Sequence, residues 1–270
     1  MIKKILYNKL KLLSMLIIVL LFMVSVGTAN GETQEEKIKR LYEEARESIE
    51  KVNEMLKNMA YQAAYEITLK KVIRSEQANK KFGKQEISNV KNGERYASKH
   101  SFIDGLIEID WFFAFDDPKR EEMKIHPTRL GFILKNKSDQ TIRINMDEAV
   151  FVDTEGVNNR VVHSGVKYAN RNDPQVPIVI IRRGTINDFI IPSNNIYYSE
   201  YWIENFIFNG LPKNGPALDE LRMKSYAFVG KSIQVFLPLM IEGKVYEYIF
   251  TFEITDVKVF SVAEILTPNK

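Results

Sequence analysis

The chain has 270 residues, no cysteine and a formal net charge of +3, from 38 Lys+Arg set against 35 Asp+Glu. Its first 31 residues hold Lys3, Lys4, Lys9 and Lys11 and no acid, so the remainder is nearly neutral, with 34 bases and 35 acids. A strongly basic nucleic-acid binder is excluded on that balance, and 45% hydrophobic residues exclude disorder throughout.

Four lysines precede an apolar run from Leu12 to Val26, and the small residues Gly27, Thr28 and Ala29 follow. A basic start, a short apolar stretch and small residues at a cleavage point predict a secretory signal peptide over residues 1–29. The alternative is an uncleaved membrane anchor, although Leu12 to Ala29 is 18 residues, under the roughly 20 that a spanning helix needs. Either way the lysines stay inside and the rest is exported, to the periplasm or the extracellular side. The missing cysteine removes a lipid-modified anchor, disulfides, thiol catalysis and thiolate metal sites. An exported chain without disulfides points to a bacterial source.

From Thr33 the composition turns to Glu, Lys and Arg, with Ile38, Leu41, Ala45, Ile49, Val52, Leu56, Met59 and Ala63 spaced by three or four. That spacing predicts a long α-helix to about Ile73, roughly 60 Å at about 1.5 Å per residue. Two readings of its apolar face stay open: docking on the following domain, or a coiled-coil stalk giving a homo-oligomer. Glu66 and Ser48 interrupt the heptad rows and favour docking. Residues 75–99, rich in Ser, Asn, Lys and Gly, read as a basic linker, and the stretch 70–99 is a candidate contact for wall polymer or anionic lipid.

After Ser101 the apolar period changes from about 3.6 to about 2. Ile107, Ile109, Trp111 and Phe113 alternate beyond the turn Asp104-Gly105. Leu130, Phe132 and Leu134 repeat the pattern, as do Ile142, Ile144 and Met146. Ile233 to Leu239 and Tyr246 to Ile254 form the clearest hairpin, turning at Glu242-Gly243. Phe112 and Ile249 put apolar groups on the second faces, which predicts two covered sheets, an antiparallel β-sandwich. The predicted organisation is therefore a signal peptide or anchor (1–29), a helical arm and linker (30–99), a β-sandwich domain (100–260) and a tail (261–270).

Residues 193–224 break the strand order with Tyr197, Tyr198, Tyr201, Trp202, Phe206 and Phe208. Such rings either form a platform for sugar or peptide, or cap the sandwich and bury themselves. The interleaved Ile196, Ile203 and Ile207 favour a cap. Tyr201, Trp202 and Phe206 are the candidate ligand-binding residues, with His163, which closes a strand before Ser164-Gly165. No His-x-x-x-His pair and no Gly-x-Ser-x-Gly elbow occurs, so neither zinc nor serine-hydrolase chemistry is signalled. Gly230-Lys231-Ser232 lacks the first glycine of a phosphate loop, since Ser225 stands there, and precedes a strand. The acids Asp116, Asp117, Glu121 and Glu122 read as a solvated loop ahead of a calcium site. No catalytic residue, metal or cofactor is assigned.

The run Gly131 to Ser138, then Ile142-Arg143-Ile144, then Phe151 to Gly156, together with Arg160 to Val166 and the strand Tyr246 to Ile254, resembles exported bacterial modules with an immunoglobulin-like β-sandwich. These are often lipoproteins and largely uncharacterised. The resemblance covers about Leu106 to Ile254, implies a cell-envelope protein without catalysis, and supplies no active-site residue. The expected function is a non-catalytic binding or scaffolding module for an envelope protein or wall component. An envelope hydrolase using the acidic loops or the His163 region, and an adaptor using 70–99, are the alternatives.

Overall fold

A computed structural model describes residues 61–91, 98–114 and 127–261, apart from 206, 209, 213 and 216, together with scattered positions between 33 and 50. The signal segment, the acidic stretch 116–122, His126 and the tail from 262 lie outside the described residues, as does most of the arm. The described positions between 35 and 50 are helical. A reciprocal capping box opens that stretch: Glu36 N–H donates to Thr33 Oγ1 at 3.3 Å and Thr33 N–H donates to Glu36 Oε2 at 3.0 Å.

The described strands are β1 (Tyr61–Arg74), β2 (Glu86–Lys91), β3 (Ser98–Ile103), β4 (Ile107–Ala114), β5 (Arg129–Asn136), β6 (Ile142–Ile144), β7 (Val150–Val152) and β8 (Asn158–His163). They continue with β9 (Ile178–Ile180), β10 (Thr185–Pro192), β11 (Ile196–Ser199), β12 (Tyr201–Glu204), β13 (Asn214–Gly215), β14 (Ser232–Ile241) and β15 (Lys244–Ser261). From Tyr61 on, two described α-helices, α1 (Glu76–Phe82) and α2 (Leu218–Tyr226), accompany them. The chain divides into two compact units, a larger one of Ala63–Lys213 with Arg222–Lys258 and a smaller one of Met1–Gln62, Asn214–Leu221 and Val259–Lys270. In the smaller unit, Tyr61 and Gln62 pair antiparallel with Gly215 and Asn214.

The helix expected to reach Ile73 is corrected by β1. From Tyr61 the sequence is rich in aromatic and β-branched residues (Tyr61, Tyr65, Ile67, Thr68, Val72, Ile73), which suit a pleated surface better than a helix. Ala63, Tyr65, Ile67 and Leu69 alternate into the core and are all buried. The expected linker 75–99 likewise contains α1 and β2. Ser75 caps α1, accepting from Ala78 N–H, and Gly83 ends it at φ +67°.

The larger unit is mainly β and antiparallel, in the order β1-β15-β14-β7-β8-β10-β5-β4-β3-β2, with β6 beside β14 and β9 beside β6. The ladder ends at β1 and β2, and side-chain amides bridge that gap. Leu69 N–H donates to Asn89 Oδ1 at 2.9 Å, and Asn89 Nδ2 donates to Leu69 O at 3.1 Å. Gln85 Nε2 donates to Val72 O at 3.2 Å. These bonds satisfy edge groups that a backbone ladder would otherwise serve, and the unit is a nearly closed, sandwich-like barrel. The β14–β15 hairpin forms as its alternation predicts: Ile233 pairs with Phe252, Ile241 with Lys244, and Glu242 and Gly243 turn at φ +50° and +76°.

The interior is aromatic. Trp111 lies 5.2 Å from Phe132, 5.1 Å from Phe250 and 5.8 Å from Phe252, ring centre to ring centre. Gly131 is required by packing on the opposite face, where Phe112 lies across it and a Cβ would come within 2.2 Å of that ring.

Candidate functional site

The aromatic insertion contains a two-stranded ribbon, β11–β12, paired Ile196↔Glu204, Tyr197↔Ile203, Tyr198↔Trp202 and Ser199↔Tyr201. Directly opposed residues share a face, so Ile196, Tyr198, Trp202 and Glu204 point one way and Tyr197, Ser199, Tyr201 and Ile203 the other. Glu200 makes the tip at φ +60°. The base is closed by Asn205 N–H donating to Asn195 O at 2.7 Å.

The first face is fixed to the sheet. Ile196 packs with Val162 and Ile191, and Val166, Tyr168, Phe189 and Trp202 surround them. Glu204 is buried and accepts from Arg129 Nε at 2.9 Å and Nη2 at 2.6 Å, and from the Tyr168 hydroxyl. The Arg129 guanidinium in turn lies 4.4 Å over the Phe189 ring. Burial alone would raise the Glu204 pKa, but the bonds from Arg129 and Tyr168 with the Arg129 charge outweigh it and hold the carboxyl below its usual range. Burial beside that carboxylate pushes the Tyr168 phenol well up, which keeps it a donor. Trp202 is sandwiched by neighbours, with Arg171 5.3 Å over its ring, Tyr198 at 5.4 Å and Tyr168 at 6.1 Å.

Three tyrosines of the ribbon stay in solvent: Tyr197 at 40%, Tyr198 at 65% and Tyr201 at 67% exposure. The expected cap is thus only half of the outcome. Ile196, Ile207 and Phe208 are buried as a cap requires, and the tyrosines are not. An exposed tyrosine offers a flat apolar face and a hydroxyl together, a combination suited to stacking on a ligand and orienting it.

The expected site residues do not converge. Tyr201 and Trp202 occupy opposite faces of the ribbon, and Phe206 lies outside the described residues. His163 pairs with Ile190 across β8–β10, while its neighbour Val162 belongs to the cluster under the ribbon. Successive strand residues face opposite ways, so His163 points away from Trp202. Its Nδ1 lies 3.2 Å from Asp188 Oδ2. Asp188 also accepts from the backbone N–H of Ser164 at 3.0 Å and of Phe189 at 2.7 Å. Burial works against the Asp188 charge, yet these bonds together hold its pKa below the usual value.

No family model, curated protein or solved structure matches this chain.

Arg129, Tyr168, Arg171 and Glu204 are the residues that sequence reasoning missed. The only signal was Glu204 itself, an acid set between Trp202-Ile203 and Phe206-Ile207. Its partner Arg129 is 75 positions away. Among the described residues no group of three His, Asp or Glu gathers to hold a metal ion, and no helix is long and apolar enough to cross a membrane.

Proposed function

We propose that the chain is an exported bacterial envelope protein whose immunoglobulin-like β domain is a non-catalytic binding module, with β11–β12 as its recognition surface. The observation that carries this reading is the two-sidedness of the ribbon. One face is held at its base by a buried, charge-assisted Arg129–Glu204–Tyr168 cluster, the other face presents Tyr197 and Tyr201 to solvent, and Tyr198 is exposed on the held face beside the tip. A rigid mount carrying exposed rings is the arrangement that binding surfaces use to limit the entropy lost on association. The basic, apolar and small-residue order of positions 1–29 supports export, and the partner class that follows is a wall component or another envelope protein.

Titration of the protein with soluble wall-polysaccharide and wall-peptide fragments, followed by tyrosine and tryptophan fluorescence, tests the reading. Binding that is lost in Tyr198→Ala and Tyr201→Ala with unchanged melting supports it; equal binding by both variants refutes it. Fractionation and sequencing of the mature N-terminus tests export separately, and an intact Met1 in a soluble cytoplasmic fraction would overturn it.

A hydrolase reading would rest on His163 and Asp188, since Asp188 orients the ring through Nδ1. Among the described residues no nucleophile is hydrogen-bonded to His163 Nε2, which a Ser–His mechanism would require. Hydrolysis of wall fragments that disappears in His163→Ala would nonetheless establish an enzyme. The adaptor reading meets a different obstacle, because many bases of 70–99 already have partners. Lys70 pairs with Glu253 at 3.3 Å, Lys80 with Glu76 at 2.5 Å and Lys99 with Asp110 at 2.8 Å, and Arg74 is buried against Asp104.

A further inference from the structure

Two arginines lie against aromatic rings on the held side of the β11–β12 ribbon, and only one of them is neutralised. Arg129 sits 4.4 Å over Phe189 and gives Nε and Nη2 to the Glu204 carboxylate. Arg171 sits 5.3 Å over the Trp202 ring, and its Nη1 donates to the Tyr168 carbonyl at 3.2 Å. The ring and the carbonyl hold this guanidinium in place, but neither cancels its charge. Among the described residues no carboxylate pairs with Arg171. Lys167, exposed at the start of the short turn Tyr168–Asn170, has no ion partner there either. Asp173, two residues beyond Arg171, and Glu200 at the ribbon tip pair with neither cation.

An exposed ring stands beside that charge. Tyr198 is opposite Trp202 on the same face of the ribbon, 5.4 Å from it ring centre to ring centre and open to solvent. Tyr198 and Arg171 thus flank one indole, close enough for two linked sugar units to touch both. Each makes its own chemical demand. A phenol ring in solvent takes the apolar C–H face of a pyranose, and its hydroxyl bonds to sugar hydroxyls. A guanidinium with N–H donors to spare presents them as a planar fork that matches carboxylate or phosphate oxygens. Because Arg171 is already ordered by the ring and the carbonyl, it loses little further freedom when an anion arrives. A neutral ligand would draw nothing from its charge.

We propose that the ligand of the ribbon is an acidic glycan, with a sugar ring stacked on Tyr198, its carboxylate or phosphodiester on Arg171, and Lys167 adding attraction from nearby. This inference rests on the reading of the ribbon as a recognition surface and adds the charge and chemical class of what it recognises.

The chain has two tryptophans, and Trp111 is fully buried, so ionic quenchers of fluorescence report on Trp202. Iodide should be favoured over caesium more strongly in the full chain than in free N-acetyltryptophanamide, and Lys167→Gln/Arg171→Gln should remove the difference. A native chain that shows no such preference overturns the proposal. Binding is then measured at low salt with trigalacturonate for the carboxylate, a glycerol phosphate oligomer for the phosphodiester, and galactotriose as the neutral control. One of the two acidic fragments should bind about tenfold more tightly than galactotriose and lose that advantage in high salt. Arg171→Gln should weaken that fragment about tenfold, and Arg171→Lys should recover only part of the loss, because an ammonium lacks the fork. Equal binding of acidic and neutral fragments, or an Arg171→Gln variant with unchanged affinity for the acidic one, overturns the proposal and leaves the ribbon reading standing. A native chain that binds no fragment overturns both. Lys167→Glu, at an exposed position, keeps the test decisive if Arg171→Gln unsettles the Trp202 stack: the acidic fragment should bind more weakly with melting unchanged, and an unmoved affinity counts against the proposal.

Discussion

The molecule contains two Arg–carboxylate–Tyr clusters built from the same three groups in different settings. In the core, Asp104 Oδ2 accepts from Arg74 Nη1 at 2.9 Å and from the Tyr248 hydroxyl at 2.8 Å, while Oδ1 accepts from the backbone N–H of Leu106 at 2.7 Å and Ile107 at 2.9 Å. Arg74 Nη2 also donates to Gly83 O at 2.7 Å, so a single buried cluster ties β1, the end of α1, the β3–β4 turn and β15. Under the ribbon, Glu204 receives Arg129 and Tyr168 side chains from two distant segments, and Arg129 keeps 26% of its side chain in solvent. The difference lies in what each carboxylate holds. Asp104 fixes backbone, in a place where the ladders on either side also hold it. Glu204 fixes an appendage that has no ladder to the main sheet.

The largest expected effect comes from breaking the core cluster. Asp104→Ala strands the Arg74 guanidinium in a buried site where its Nε already lacks a partner. Removing one member of a buried pair costs about 3–5 kcal/mol, so urea denaturation should show most of the stability lost. A loss below about 1 kcal/mol would mean that the cluster is hydrated and no stronger than a surface ion pair.

A second expected effect concerns the seam beside that cluster. His100 is fully buried, places Nδ1 2.7 Å from Asn89 Oδ1, and leaves Nε2 without a partner among Phe113 and Phe252. Burial pushes its pKa down from 6.5 to about 4. Between those values the unfolded chain binds a proton that the folded chain refuses, so stability falls as pH falls through that window. The whole drop is roughly 3 kcal/mol for a depression of this size. Denaturation midpoints measured from pH 7 to pH 4 should show this slope in the native chain and lose it in His100→Gln. An unchanged slope in the variant would assign the acid sensitivity to other groups.

How legible this was in the sequence depended on how far apart the interacting residues lie. The β14–β15 hairpin was readable because its alternation, its Glu242-Gly243 turn and its pairing are all local. β4 and β5 were readable for the same reason. β1 was not, because its apolar residues continue a spacing that also fits a helix, and its neighbour β15 lies far along the chain. The ribbon was half readable. Its aromatics marked the segment, yet a period of two puts Tyr201 and Trp202 on opposite faces, and nothing local linked Glu204 to Arg129. His163 was singled out for closing a strand, while its partner Asp188 stands 25 positions on.

A smaller effect should follow from weakening the outer cluster. Glu204→Gln keeps the shape and removes the charge, and the loss of charge-assisted bonds costs about 1–2 kcal/mol. Because the folded Glu204 pKa is depressed, its contribution is present above about pH 4.5 and is lost as pH falls through the folded value. The variant should therefore be less stable at neutral pH, and its deficit should shrink in acid. A deficit that persists unchanged in acid would mean that the ionised carboxylate is not what holds the ribbon.

The smallest change in stability is expected where the proposed function is concentrated. Tyr201→Ala removes a ring that is 67% exposed and makes no hydrogen bond among the described residues, so stability should stay within about 0.5 kcal/mol. Trp202→Ala is the informative companion, because its ring supports Tyr198 and Arg171 from the fixed face. If the ribbon is a mount for exposed rings, Tyr201→Ala abolishes wall-fragment binding without moving the melting temperature, whereas Trp202→Ala lowers both. If the tyrosines are incidental surface, the order reverses: Trp202→Ala alone affects the protein, through stability, and Tyr201→Ala is silent in every assay. The two variants side by side thus separate a surface kept for recognition from one that is merely left uncovered.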